Sequence, residues 1–439
     1  METADDREEM LDWLLAPLRW LEQSTGWRWW GLVLLYLVVV GSAGVFGYRT
    51  LCLWRLPDVG EPFDVGRLGK VDLADSDNAM VFYREAARKL IFGPGPNYRT
   101  RTREAWEVVH WGAAEPDVRR WVVENRAAMD LWLQGTVRPD ALVVQPRDFT
   151  RFSQMGTSDS LRDFARMGLL ESSRLEADGD LEGAWRLLRA VLRSSRHVGQ
   201  HGDLVARGVG KAMFHLARPE VERWLDDPRV TPALLKRALD DLETCRAMTP
   251  PPSEMVRYRY FASKAILSDP GTWASVSSPQ PGTDSPGHDQ LRALKPALNF
   301  LRREPERSLR VLRLVTANQL AQVDRPRGEH PALISTKHAI FAADPKAPGP
   351  ITPEELASWA DRSAYGMLAV DQAYLHLQGK VEAELGLFDG LLVLAAGRAF
   401  ELEHGRPART HGELLGPYLK RLPEGIEPGS LTGLAADPN

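Results

Sequence analysis

An uncharged stretch from Trp29 to Tyr48 constrains this chain more than any other feature. It reads WWGLVLLYLVVVGSAGVFGY and lies between Arg28 and Arg49. A helix rises about 1.5 Å per residue, so about twenty residues cover the 30 Å hydrocarbon core of a bilayer. Aromatic rings, which prefer the headgroup level, stand at both ends: Trp27, Trp29, Trp30, Tyr48 and Trp54. The sequence therefore predicts a transmembrane helix over residues 29–52 that contacts the lipid bilayer through residues 29–48.

This stretch does not have the pattern of a cleaved signal peptide. Its apolar run is too long, the preceding tail is acidic, and Gly44 to Gly47 contain no A-x-A-like cleavage site. We therefore expect a single-pass protein of the cell membrane. Two arginines flank each end, so the positive-inside rule does not choose an orientation. By analogy with uncleaved signal anchors, we expect the C-terminal domain to be extracytoplasmic.

Two shorter patterns accompany the span. In the N-terminal tail, residues 1–28, leucines recur at helical spacing between Glu8 and Gln23. They predict a short amphipathic helix, which either lies on the membrane surface or packs on a partner. Within the span, Ala43 and Gly47 are four residues apart, a spacing that permits close helix contact and a homodimer.

The remaining chain is predicted to be all-α. Prolines and glycines interrupt residues 53–73, which we interpret as a stalk. Residues 74–404 form a domain of stacked antiparallel helical hairpins, with a flexible insertion rich in Ser, Pro and Gly at 268–287. Residues 405–439 are a C-terminal tail. The net charge of −4 gives no reason to expect nucleic-acid binding, and two cysteines do not indicate a disulfide framework.

Local signals predict the bounds of several elements. Ser76 is expected to cap a helix through Leu90, and a helix from Pro116 is expected to carry Met129 and Trp132 on one side. Residues 141–144 suit a short strand. Pro232, after Thr231, is expected to begin another helix.

The clearest hairpin joins a helix over Ser160–Ala177 to one over Leu181–Val198 through the turn Asp178–Gly179–Asp180. The second helix places apolar residues such as Leu188 on one face and arginines on the other: Arg186, Arg189, Arg193 and Arg196. The segment Gly179–Ala184 resembles the turn of a tetratricopeptide-type helix pair, with Ser172 as the small residue of the first helix. Arg218 stands one repeat length after Ala184, so the resemblance covers one repeat and implies related helix stacking.

A closing segment carries a second resemblance. Arg398, Glu401–Pro407, Glu413–Leu415 and Tyr418–Pro423 resemble the end of uncharacterised bacterial single-span helical proteins and, more distantly, the helix-to-globule junction of pseudopilins. The resemblance covers about residues 391–423. It implies where the chain is located and how it is built, a single-span membrane protein with a helical domain, and it assigns no catalytic residues.

Candidate chemistry is sparse. His197 and His201 are four residues apart, a spacing that suits a metal ion on a helix, but Arg186 and Arg193 share their face, so we favour two solvated surface histidines. Gly208–Lys211 lacks the remaining residues of a phosphate-binding loop. His404 with Glu401 and Glu403 suits an acid–base cluster, although a helix end followed by Gly405 explains the same residues.

Two basic stretches suit phosphates or anionic headgroups. One is an arginine-rich helix with Arg302, Arg303, Arg307, Arg310 and Arg313; the other is Arg257–Tyr258–Arg259–Tyr260. Acidic residues interrupt the first, so we favour solvated charged faces for both.

These patterns favour a membrane-anchored helical scaffold that binds protein partners, without a cofactor or a metal. Catalytic residues cannot be assigned. Two alternatives stay open: a hydrolase or metal-dependent enzyme whose site is assembled from separated residues, and a component of a pilus-like or secretion assembly.

Overall fold

The computed structural model describes residues 26–55, 58–91, 110–150, 153, 155–268, 303–325, 329 and 377–422. Within these ranges the chain is all-helical and contains no β-strand, which confirms the predicted fold class. The contacts divide it into two units. The first unit comprises residues 1–60, 266–315 and 332–371, and the second comprises residues 61–265, 316–331 and 372–439.

Twelve α-helices lie in the described ranges. They are α1 (Trp27–Arg55), α2 (Val65–Leu68), α3 (Ala79–Lys89), α4 (Pro116–Glu124), α5 (Arg126–Thr136), α6 (Met155–Ala177), α7 (Leu181–Gly199), α8 (Leu204–Asp226), α9 (Pro232–Ala247), α10 (Pro252–Ser268), α11 (Glu304–Gln322) and α12 (Leu377–His404). Three short 3₁₀ helices cover Trp111–Ala113, Pro146–Asp148 and His411–Glu413.

Helix α1 of the first unit is long and apolar enough to cross a membrane. Residues Trp29–Leu51 form a stretch of 23 residues with a mean hydropathy of 2.0, and none of it is buried inside the structure. Among the described helices it is the one that qualifies. The apolar run Leu391–Ala396 of α12 instead belongs to the apolar core of the second unit, where Leu391 and Ala396 are buried. A candidate membrane helix near the N-terminus agrees with the sequence prediction.

The second unit is built around α7, which packs between α6 and α8. The chain turns from α6 into α7 at Gly179, whose φ of +86° is accessible mainly to glycine. Asp180 then caps α7 by accepting a hydrogen bond of 2.8 Å from the backbone N–H of Gly183. Leu188 is completely buried, so the predicted hairpin and its apolar face are both present.

Helices α8, α9 and α12 complete this core. Gly210 of α8 lies so close to α7 that a Cβ atom there would be 2.2 Å from the carbonyl oxygen of Ser195. Thr231 caps α9 and Pro232 is its first residue, as predicted. Helix α12 packs on α8 and α9, and the rings of Phe214 and Phe388 stack with centroids 4.4 Å apart.

Several local predictions were wrong. Asn125 ends α4 and separates it from α5, since its side chain donates to the carbonyl of Trp121 and accepts from the N–H of Ile91. Asn78, not Ser76, caps α3. Residues 141–144 are not a strand; beside them, Asp140 and Asn78 form an isolated bridge. Arg196 was expected on the outer face of α7, but it is buried.

The predicted stalk contributes to the second unit from residue 61 onward. Glu61 accepts hydrogen bonds from Tyr260 (2.5 Å) and Lys264 (2.8 Å), and Val71 exchanges backbone hydrogen bonds with the side chain of Gln145. The amphipathic tail helix over residues 8–23, the insertion at 268–287 beyond residue 268, and the chain end after residue 422 lie outside the described residues.

Candidate functional site

His197 belongs to a buried polar link between three parts of the second unit. Its Nδ1 lies 2.7 Å from the hydroxyl of Tyr83 in α3, and its Nε2 lies 3.1 Å from the carbonyl oxygen of Arg138. A carbonyl only accepts, so Nε2 carries the proton and Nδ1 accepts from Tyr83. Burial and the charge of Arg193 lower the pKa of His197 to about 3, which keeps the ring neutral. The prediction of a solvated surface histidine was wrong for this residue.

His201 lies outside α7, in the turn before α8, and is held between two carboxylates. Its Nε2 is 2.9 Å from Asp140 Oδ1, and its Nδ1 is 3.4 Å from Glu254 Oε1. The backbone N–H of His201 also donates to Glu254 Oε1 at 2.6 Å. Its φ of +49° is unusual for a residue with a Cβ. This imidazole therefore lies where the turn before α8 meets the segment around Asp140 and helix α10.

The electrostatics of this cluster favour an imidazolium. Burial alone would lower the pKa of His201, but the hydrogen bond to Asp140 and the two nearby carboxylates raise it above its usual value. Burial opposes the ionised form of Asp140, yet the hydrogen bond and charge of His201 lower the pKa of Asp140. Tyr258 adds an aromatic wall, with its ring centroid 6.1 Å from that of His201. We call Asp140, His201, Glu254 and Tyr258 the histidine cluster.

The histidine cluster is suited to an ion pair more than to metal binding. The distances from the imidazole nitrogens to the carboxylate oxygens are those of hydrogen bonds. Within the part of the chain that the structure describes, no group of His, Cys, Asp and Glu is arranged to hold a metal ion. Burial also raises the pKa of the Cys245 thiol to about 12, so this thiol stays protonated.

A second charged constellation is fully internal. The carboxylate of Glu384 in α12 pairs with Arg196 of α7 through Oε1 and with Arg207 of α8 through Oε2, the latter at 2.9 Å. Burial would raise the pKa of Glu384, but the charges of the two arginines lower it. Arg207 also donates to the carbonyl of Pro250 at 2.8 Å, and Arg196 lies 4.8 Å from the centroid of Phe388. This buried triad ties three helices together.

A cavity of about 380 Å³ opens where α9, α12 and the segment after α12 meet. Arg246 and Asp389 form a two-point ion pair at its wall, with distances of 2.5 and 3.0 Å. Its lining combines charged and apolar side chains: Glu243, Arg246, Ala247, Asp389, Leu392, Leu419, Lys420 and Arg421. Lys420 pairs with Glu243 at the rim, so both signs of charge surround an apolar floor.

The structure does not unite the other sequence candidates into a site. Gly208–Lys211 lies inside α8, so it is not a phosphate-binding loop. Tyr258, Arg259 and Tyr260 are buried, so the expectation of a solvated basic face was wrong for this stretch.

The residues around His404 also separate. His404 stacks on Phe400 with centroids 4.2 Å apart, Glu401 pairs with Arg398, and Glu403 accepts from Tyr418 at 2.5 Å. Gly405 has a φ of +67° and ends α12, in agreement with the helix-end interpretation.

No local sequence signal indicates the partners of either constellation. His201 and Glu254 are 53 residues apart, and Arg196 and Glu384 are 188 apart, without a motif around any of them. Comparison of the chain with protein-family models, with curated proteins and with solved structures finds no match.

Proposed function

We propose that this chain is a single-pass membrane protein whose second unit is a helical scaffold for a protein partner. The observation that carries the proposal is α1, whose 23-residue apolar stretch leaves side chains such as Leu34 and Leu37 about 60% exposed. An exposed apolar surface of this extent is stable in a cell only when lipid or protein covers it. The length of the helix matches the thickness of the hydrocarbon core of a bilayer. The second unit has its own core and needs no help from α1 to bury its helices.

The cavity between α9 and α12 is the partner site that the geometry favours. Leu392 and Leu419 offer an apolar floor, and Arg246, Asp389 and Lys420 surround it with hydrogen-bonding groups. Binding interfaces share this arrangement, in which an apolar anchor is buried and a polar rim excludes water. The proposed partner is a protein segment that inserts an apolar side chain between charged neighbours. The one tetratricopeptide-type hairpin, α6–α7, is compatible with such a stack.

A site-specific photo-crosslinker tests this assignment. It is placed at Lys420, at the rim, and in a control chain at Arg88 of α3; both side chains are 76% exposed. The full chain is irradiated in its native membrane. We expect a discrete protein adduct from position 420 that is absent from position 88. The same products from both positions, or none from either, would contradict the cavity as the partner site.

Two finer features belong to the same proposal. The C-terminal part is placed outside the cytoplasm, as for an uncleaved signal anchor, and a reporter fused after residue 439 tests this. Ala43 and Gly47 are exposed on α1, and a Cβ atom at Gly47 would meet no other part of the described structure within 4 Å. This face is the proposed contact of a homodimer. Replacing Gly47 by Leu should abolish crosslinked dimers, and replacing Gly31 should not.

A further inference from the structure

Arg303, which immediately precedes α11, and Arg310 of α11 contact the C-terminal end of α1 within the first unit. Arg303 donates a hydrogen bond of 3.1 Å to the hydroxyl of Thr50, and its guanidinium lies 5.3 Å from the ring centroid of Phe46. One helical turn beyond Thr50, Arg310 donates to the backbone carbonyl of Leu53 at 2.8 Å. The arginine-rich helix thus packs against the last turns of the candidate span.

These contacts fix the depth of the guanidinium groups. The apolar stretch ends at Leu51, and α1 continues as a helix to Arg55. Tyr48 and Trp54, which are 64% and 74% exposed, mark the headgroup level. With α1 across a bilayer as proposed above, the hydrogen bonds to Thr50 and Leu53 bring the charges of Arg303 and Arg310 to the level of the lipid phosphates.

The local charge is positive. In this part of the first unit, the charged side chains that the structure describes are five arginines and two acids, which leaves three positive charges in excess. The arginines are Arg49, Arg303, Arg307, Arg310 and Arg313, and the acids are Asp58 and Glu306. Asp58 lies 3.7 Å from both Arg310 and Arg313. The side chains of Arg303, Arg310 and Arg313 remain 21–23% exposed.

We propose that Arg303, Arg310 and Arg313, which we call the arginine surface, bind the headgroups of anionic phospholipids in the adjacent leaflet. A guanidinium presents several N–H donors in a plane and meets a phosphate through two of them. Each basic side chain near an anionic membrane surface strengthens binding by about fivefold. The solvated face expected from the sequence is replaced by a lipid-facing one. This inference rests on the membrane anchor of the proposed function and is independent of its protein partner.

The test uses the full chain reconstituted in bilayers of phosphatidylcholine with a spin-labelled lipid. The association of labelled phosphatidylglycerol is compared with that of labelled phosphatidylcholine. We expect a preference for phosphatidylglycerol that weakens at high salt, because exposed charges are screened. Arg303→Gln, Arg310→Gln and Arg313→Gln should each reduce it by up to about fivefold, and together abolish it. Replacing the same three residues by Lys should retain most of it.

The controls separate the possible failures. A chain with Arg88→Gln, Arg120→Gln and Arg147→Gln loses the same charge from exposed sites of the second unit and should keep the preference. Equal association of both lipids by a correctly inserted chain would overturn the lipid inference alone. If the glutamine variants instead changed the monomer–dimer ratio without a lipid preference, a second copy would be the occupant and the inference would be wrong. Failure to insert into any bilayer would overturn the proposed function itself.

Discussion

Glu384 accepts a hydrogen bond of 2.9 Å from Nε of Arg207, although the two residues are 177 positions apart. The second carboxylate oxygen of Glu384 pairs with Arg196, and all three side chains are almost inaccessible to water. Helix α12 is thereby joined to α7 and α8 by charges as well as by apolar packing. A buried charge is tolerated only while its partners remain, so this triad is sensitive to any single removal.

Glu384→Gln should therefore be strongly destabilising. It leaves two buried guanidinium groups without a counter-charge, and breaking such a pair costs about 3–5 kcal/mol. Native-state hydrogen exchange of α12 amides in the full chain measures this loss. Glu382→Gln, at an exposed position of the same helix, should change exchange by less than about 0.5 kcal/mol. Equal effects of both variants would contradict the role assigned to the triad.

The triad also explains a limit of sequence reasoning. The spacing of Arg186, Arg189, Arg193 and Arg196 indicates one polar face of α7, and this is correct for Arg186, which is exposed. Arg196 differs because a carboxylate 188 residues away compensates its charge. His197 is similar, since its partner Tyr83 is 114 residues away. Periodicity reports which residues share a face, but it does not report that a distant helix covers the polar face.

Gly210→Ala tests the close approach of α7 and α8. The added Cβ would meet the backbone carbonyl oxygen of Ser195 at 2.2 Å, and backbone cannot move aside as a flexible side chain can. We expect a loss of about 1–3 kcal/mol from overpacking. Gly208→Ala is the matched control, because nothing lies within 4 Å and alanine favours a helix by about 1 kcal/mol. The midpoint temperature of thermal unfolding should fall for Gly210→Ala and rise for Gly208→Ala.

The histidine cluster should stabilise the fold at lower pH. His201 has a raised pKa when folded, so the folded state binds more protons than the unfolded state, in which the pKa is about 6.5. Its contribution is fully present below that value and is lost as pH rises through the folded pKa. His201→Asn keeps a residue that tolerates the positive φ. The stability difference between the native chain and this variant should shrink as pH rises; a difference independent of pH would exclude the ion pair.

His197 should show the opposite dependence. Its pKa is about 3 when folded and about 6.5 when unfolded, so the unfolded state binds more protons between these values. The stability that neutral His197 contributes is present above about pH 6.5 and falls as the solution becomes more acidic. Measuring the free energy of unfolding of the native chain and of His197→Gln as a function of pH tests this. If the stability advantage of the native chain grew on acidification, the buried neutral ring would be contradicted.

Local signals predicted several elements of the second unit. Thr231 and Pro232 begin α9 where the sequence places them, the turn at Gly179 and Asp180 joins α6 to α7, and Gly405 follows the end of α12. The break at Asn125 was missed because its cause is non-local: the side chain bonds to Ile91, 34 residues away. The histidine cluster was missed for the same reason, since Asp140 and Glu254 approach His201 only after the helices have packed.

Membrane anchoring through α1 is the central claim, and the fate of the N-terminus tests it most directly. The full chain is expressed with a different tag at each end, and membranes are washed at alkaline pH. We predict that one product carrying both tags stays in the washed membrane, and that a chain lacking Met1 to Cys52 is released as a helical soluble protein. A membrane-free product that has lost the N-terminal tag would instead make α1 a cleaved signal sequence and would contradict the account.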